Sequence, residues 1–207
     1  LVGRFARSIV HDLKNPLNII GISSDIAGLE TTSKEMRATS CARIRRQVER
    51  LTNMISELLE FTRGSGTPVA LARVDFAEYA GPLLDEMATE VASRGVKLVR
   101  ENAVPRVMVL MDPKRLTHVF HNLANNACDA MADGGTLTFR FLQKGNELTV
   151  EVQDSGNGIA PEIAPRLFEA FATYGKPSGT GLGLSICKRI IDDHQGRIGA
   201  RNAETGG

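Results

Sequence analysis

In the N-terminal part of the chain apolar residues recur at three- and four-residue intervals, the spacing of one helix face. Val2, Phe5, Ile9, Leu13, Leu17 and Ile20 share one stripe at about 100° per residue. Cys41, Ile44, Val48, Leu51, Ile55, Leu58 and Thr62 form a second, a heptad seam sustained over about three heptads. The break from Gly28 to Ser33 carries LETTS, which supplies loop and N-cap chemistry. The pattern therefore predicts a helical hairpin. One hairpin has too few helices to cover such a seam, and two copies complete a four-helix bundle, so a homodimer is expected; the alternative is a hairpin packed on the rest of its own chain.

The run RGSGTP, Arg63 to Pro68, is rich in turn and linker residues and separates stretches of different character. The expected organisation is a domain over 1–63, a linker over 64–68 and a second domain over 69–207. Beyond the linker the period alternates between helix and strand. Phe76 to Ser93 reads as helix, Val96 to Glu101 and Val107 to Met111 as strands, and Asp112 to Ala132 as a long helix opened by Asp112 and Pro113. Thr136 to Phe141 and Leu148 to Gln153 flank KGN as a hairpin, and helices follow at Pro161 to Ala170 and Leu182 to His194. The fold class is then α plus α/β, a helical hairpin followed by an α/β sandwich with one sheet face covered and the other partly open.

Composition narrows the function classes. Of 207 residues, 25 are basic and 24 acidic, so no net field draws the chain toward nucleic acid. No apolar run approaches the roughly 20 residues a bilayer crossing needs, so contact with a membrane is expected only through regions outside this chain. Cys41, Cys128 and Cys187 lack the paired spacing of a zinc or redox site and read as buried thiols in a reducing, cytoplasmic compartment. The chain starts at Leu1 and stops at Gly207 after a strand-like stretch, so both ends are expected to be cut, with a sensor region upstream.

Candidate chemistry lies in four segments. HDLKNPL, His11 to Leu17, puts His11 opposite the middle of the first stripe, with Asn15 one turn on and Asp12 adjacent. Pro16 removes a helix hydrogen bond and should bend the helix, leaving Ile19, Ile22 and Ile26 as either a docking patch or rephased core. HNLANNACDA, His121 to Ala130, aims the amides of Asn122 and Asn126 in one direction, and amide oxygens suit Mg²⁺ beside a triphosphate because they add no negative charge. DSGNGI, Asp154 to Ile159, offers a carboxylate acceptor for an exocyclic amine such as adenine's, with Gly156 and Gly158 freeing the turn. GTGLGLSI, from Gly179, runs a glycine loop into a helix N-terminus, a phosphate-binding arrangement.

HDLKNP, NLANNA, DSGNG, LFEAF and GTGLGLSI occur in that order in one chain, which thereby resembles the sensor histidine kinases over nearly its whole length. The resemblance implies a dimerisation and phosphoacceptor hairpin followed by an ATP-binding domain of the kind shared with gyrase, the Hsp90 chaperone and the MutL repair protein. It implies His11 as phosphoacceptor, Asp12 as its acidic activator and Asn15 as the residue of a phosphatase activity toward the partner. It further implies Asn126 as Mg²⁺ ligand, Asn122 as a phosphate or metal helper and Asp154 as the adenine contact. Gly156, Gly158, Gly179, Thr180, Gly181, Leu182 and Gly183 shape the nucleotide pocket, and Lys176 matches the lysine of a short ATP lid. Phe168 and Phe171 match the family's phenylalanine box, a spacing that equally suits a helix packed on a core. Tyr174 and Gly175 depart from the lid pattern, and the family's closing strand is expected to lie beyond Gly207.

The implied activity is ATP-dependent autophosphorylation of His11, then transfer to an aspartate of a response regulator receiver domain. An ATP-driven conformational machine is the rival reading. Such enzymes place a glutamate four residues before the metal-binding asparagine to activate water, whereas this chain has Asn122 there. A scaffold that keeps the fold without the chemistry is disfavoured by His11, Asn126 and Asp154.

Overall fold

A computed structural model describes residues 2–62, 69–172 and 181–203, in two compact units, one carrying the N-terminal hairpin and one carrying the sheets. In the first, α1 (Val2–Gly28) and α2 (Lys34–Thr62) are joined by the LETTS turn. Ser33 caps α2 by accepting the Met36 N–H at 3.1 Å, and the Thr32 hydroxyl donates to the Ile26 carbonyl at 2.5 Å. The helix α1 runs on through Pro16, which is buried.

The hairpin covers only part of its apolar surface. Pro16, Ser23, Ser40 and Met54 are buried, while Leu17, Ile22, Val48 and Ile55 stand exposed. Ile44, Leu51 and Leu58 are half-buried, so the heptad seam divides into a half the hairpin uses and a half it leaves outside. Cys41 lies on the outer half and is exposed, correcting the expectation of a buried thiol, whereas Cys128 and Cys187 are buried. Ile22 is exposed and Ile19 and Ile26 half-buried, so this trio is not closed core within one hairpin.

In the second unit the strands β1 (Ala72–Asp75), β2 (Val96–Arg100), β3 (Met108–Met111), β4 (Gly135–Lys144) and β5 (Glu147–Asp154) form two sheets. β1 and β3 pair antiparallel as a ribbon, and β2, β4 and β5 form a mixed sheet in that order, β2 parallel to β4 and β4 antiparallel to β5. The helices α3 (Phe76–Ala92) and α4 (Pro113–Ala130) open on the carboxylate caps Asp75 and Asp112. They bury Phe76, Leu84, Met87, Phe120 and Ala124 in one core with Leu137, Phe139 and Phe141, the inward residues of β4. Phe120 stacks on Phe139 with centroids 6.0 Å apart. The opposite face of the sheet is polar, with Arg140 bonded to both Glu101 and Glu151, as an open face requires.

Parallel pairing of β2 with β4 brings the turns after α3 and α4 together, and glycine makes this possible. Gly95 and Gly134 have φ of +77° and +88°, and a Cβ on Gly134 would stand 2.7 Å from the Gly95 carbonyl oxygen.

One predicted helix is absent. Residues 161–170 form turns around a single 3₁₀ turn at Ala164–Arg166. Pro165 has no N–H to bond back to Pro161, and the bonds that do form there, such as Arg166 N–H to the Ile163 carbonyl at 2.9 Å, mostly span three residues. The remaining helix, α5 (Gly183–Asp193), matches expectation, and residues 197–203 carry no strand. No helix among the described residues is long and apolar enough to cross a membrane.

Candidate functional site

The site grows from α4. Its inner face carries Val119, Phe120, Ala124, Ala127 and Cys128 into the core, which holds the helix against rotation. The neighbouring face then presents Asn122, Asn126 and Ala130 at four-residue intervals, all half-buried. The Asn122 amide nitrogen donates to His118 Nε2 at 2.9 Å, which turns the amide oxygen away from the imidazole.

Asp154 ends β5, opposite Leu137 of β4. Its Oδ1 accepts the Gly156 N–H at 2.8 Å, a local turn that leaves Oδ2 to accept from a ligand. The turn is pressed onto α4: a Cβ on Gly156 would stand 2.8 Å from the Ala130 carbonyl oxygen and 2.9 Å from the Ala130 Cβ. Glycine is thus the residue that lets the carboxylate-bearing turn close on the helix end one turn beyond Asn126. Amide oxygens fit a hard cation and the phosphates it would accompany, with Asn126 the residue that would hold it.

The next turn is fastened from far along the chain. Asn202 Oδ1 accepts the Ile159 N–H at 2.6 Å while its amide nitrogen donates to the Ile159 carbonyl at 3.0 Å. Gly158, with φ of +72°, sits against that amide, where a Cβ would be 3.0 Å from Asn202 Oδ1.

The helix α5 is pinned to α4 at its C-terminal end, where Arg115 Nη2 meets Asp193 Oδ2 at 2.6 Å. The two helices pack on each other, and α5 begins at Gly183, the end away from this pair. Gly181 has φ of +67° and Leu182 is buried.

The structure thus sets Gly156 and the turn that carries Asp154 against Ala130, one turn beyond Asn126 and two beyond Asn122 on the same helix, with Gly158 on the adjoining turn. Lys176, Gly179 and Thr180 lie outside the described residues. The backbones of His11 and Asp12 are helical, their side chains lie outside the description, and Asn15 is exposed on α1. Phe168 is half-buried and Phe171 is 41% exposed with φ of +67°, so the reading of a helix packed on a core fails for this pair. The contacts of His118 and Asn202, and the Arg115–Asp193 pair at the end of α5, were not foreseen. Asn202 offers no signal in the sequence, since its partner is 43 residues away.

Residues 1–66 match the family model described as His Kinase A (phospho-acceptor) domain, and residues 111–207 match the Histidine kinase-, DNA gyrase B-, and HSP90-like ATPase. The chain is 32% identical to the sensor protein KdpD of Clostridium acetobutylicum over 97% of its own length and 23% of that protein's. It is 30% identical to the sensor histidine kinase ZraS of Escherichia coli over 98% of its own length and 43% of that protein's. It therefore spans less than half of either relative. Its fold is similar to that of the histidine kinase ThkA, solved in complex with the response regulator protein TrrA, with a TM-score of 0.75 at 22% identity, covering 99% of this chain and 59% of that one.

Proposed function

Because the chain belongs to the sensor histidine kinases of two-component systems, we propose that it is a catalytic core that phosphorylates His11 from MgATP and passes the phosphoryl group to an aspartate of a response regulator. The observation that carries the reading is the closure of the Gly156 turn on Ala130, which sets Asp154 at the end of the face bearing Asn122 and Asn126. Asp154 Oδ2 accepts from the adenine amine, the two amides face the phosphates, and Gly181 and Gly183 leave room for close backbone approach before α5. Asn126 would hold Mg²⁺, whose chemistry there would be to offset charge on the phosphates.

His11 acts as a neutral imidazole. A ring nitrogen attacks the γ-phosphorus in line, the bond to the ADP oxygen breaks, and ADP departs with the electron pair. Asp12 orients or polarises the ring. The phosphoramidate then gives its phosphoryl group to the partner's aspartate, with residues 1–63 as phosphoacceptor domain, 69–207 as catalytic domain and 64–68 as the linker that lets one reach the other. Asn122, a neutral amide tied to His118, cannot serve as a general base for water, which favours a separate nucleophile. Asn15 orients water for the reverse task, dephosphorylation of the partner. The exposed outer half of the α2 seam supports a homodimer, and the chain works in the cytoplasm.

Labelled ATP tests the pocket. Asn126→Ala and Asp154→Ala should each lower labelling at least tenfold, about 1.4 kcal/mol, with His11 intact. Normal labelling in both variants places the pocket elsewhere.

A further inference from the structure

Three segments of the second unit meet at Asp112, a residue that the nucleotide chemistry leaves unused. Asp112, 8% exposed, accepts the Lys114 and Arg115 N–H groups on Oδ1 at 3.1 and 3.2 Å and the Ala70 N–H on Oδ2 at 3.2 Å. Its own backbone N–H donates to His194 Nε2 at 2.9 Å. His194 Nδ1 lies 2.7 Å from the Ile190 carbonyl oxygen, one turn back at the end of α5. A carbonyl only accepts, so Nδ1 carries the proton. Nε2 faces an N–H, so it must offer a bare lone pair. Both bonds are made together only by a neutral ring protonated on Nδ1.

We propose that His194, in this tautomer, is a positioning residue for the nucleotide site: it clamps the C-terminal end of α5 to the cap of α4 and so sets where the N-terminus of α5, at Gly183, stands. The proposal rests on the nucleotide reading given above. α5 has 11 residues, a rod of roughly 16 Å, so displacement at the clamped end is carried to Gly183 at the other. Sites of this kind are sensitive to misplacement of about 1 Å. The Arg115–Asp193 pair closes the same end, but long, partly exposed side chains tolerate a range of separations, whereas the imidazole bridges backbone to backbone with a rigid ring.

The test compares the 207-residue chain with His194→Gln, His194→Asn and His194→Phe, measuring the affinity for a fluorescent ATP analogue with Mg²⁺ and the melting temperature without nucleotide. Glutamine places an acceptor where Nε2 stands, asparagine reaches only as far as Nδ1, and phenylalanine keeps the ring without either nitrogen. The Gln variant should bind within about threefold of the parent, and the Asn and Phe variants at least tenfold more weakly, about 1.4 kcal/mol. Nitrogen-15 shifts of the parent should report a protonated Nδ1 and a bare Nε2. Parental affinity in the Phe variant, equal loss in Gln and Phe, or the opposite tautomer each overturns the proposal. Should the Phe variant not fold, Gln against Asn decides on the same terms. A parent that binds no nucleotide overturns the nucleotide reading, and this proposal with it.

Discussion

Tyr79 stands between Phe76 and Phe120, with ring centroids 6.1 and 6.2 Å away, and its hydroxyl meets Thr117 Oγ1 at 3.2 Å. Burial pushes its phenol from 10.0 up to about 12, outweighing the Thr117 hydrogen bond, which acts the other way. Between those values the unfolded chain has lost the proton that the folded chain keeps. This contribution to stability is therefore whole below pH 10 and is lost as pH rises toward 12. Tyr79→Phe should lower stability by about 1 kcal/mol at pH 7 through the lost hydrogen bond, yet flatten the fall above pH 10. Urea midpoints at neutral and alkaline pH measure both, and an equally steep alkaline fall in the variant assigns the titration to another group. At this scale the sequence discloses residues whose chemistry is spelled out by near neighbours. Asn122 with Asn126, and Asp154 with Gly156, carry their meaning within one turn. His194 and Asn202 do not, because each takes its role from a partner that only the fold brings near, Asp112 and Ile159.

The helix α2 shows what periodicity resolves and what it leaves open. The seven-residue seam was legible as a seam, but spacing does not distinguish positions covered by α1 from those left for another chain. Val48 and Ile55 are each 49% exposed, while Leu51 and Leu58 are half-buried within the hairpin. Replacing Val48 and Ile55 by lysine should therefore leave helicity intact while breaking the proposed dimer. The same change at Leu51 and Leu58 should also loosen the hairpin. Each apolar side chain fully buried is worth about 1.5–3 kcal/mol, so two per chain predict a loss of dimer affinity of at least a hundredfold. Sedimentation of the Val48 and Ile55 double variant at micromolar concentration checks this, and an unchanged dimer moves the association surface off α2. Elsewhere propensity misled. LFEAF and its flanks read as helix because apolar residues recur there, but Pro165 prevents the ladder. β1 escaped notice because four residues, two of them exposed, give too little alternation to count.

At the scale of the whole molecule, the fold class followed from the order of periods, helical before the RGSGTP run and mixed after it. The sheet order did not. Parallel β2–β4 pairing depends on the close approach of the Gly95 and Gly134 turns, a contact between residues 39 positions apart with no local signature. The functional account joins the two parts through one covalent event, the attack of His11 on ATP bound by the second. The most direct measurement is incubation of the parent and His11→Gln with γ-labelled ATP and Mg²⁺, followed by acid and alkali treatment, with nucleotide binding assayed in parallel. The account predicts label on the parent that is lost in acid and kept in alkali, and no label on His11→Gln although it binds ATP as the parent does. Equal labelling of His11→Gln, or parental label that survives acid, would contradict it.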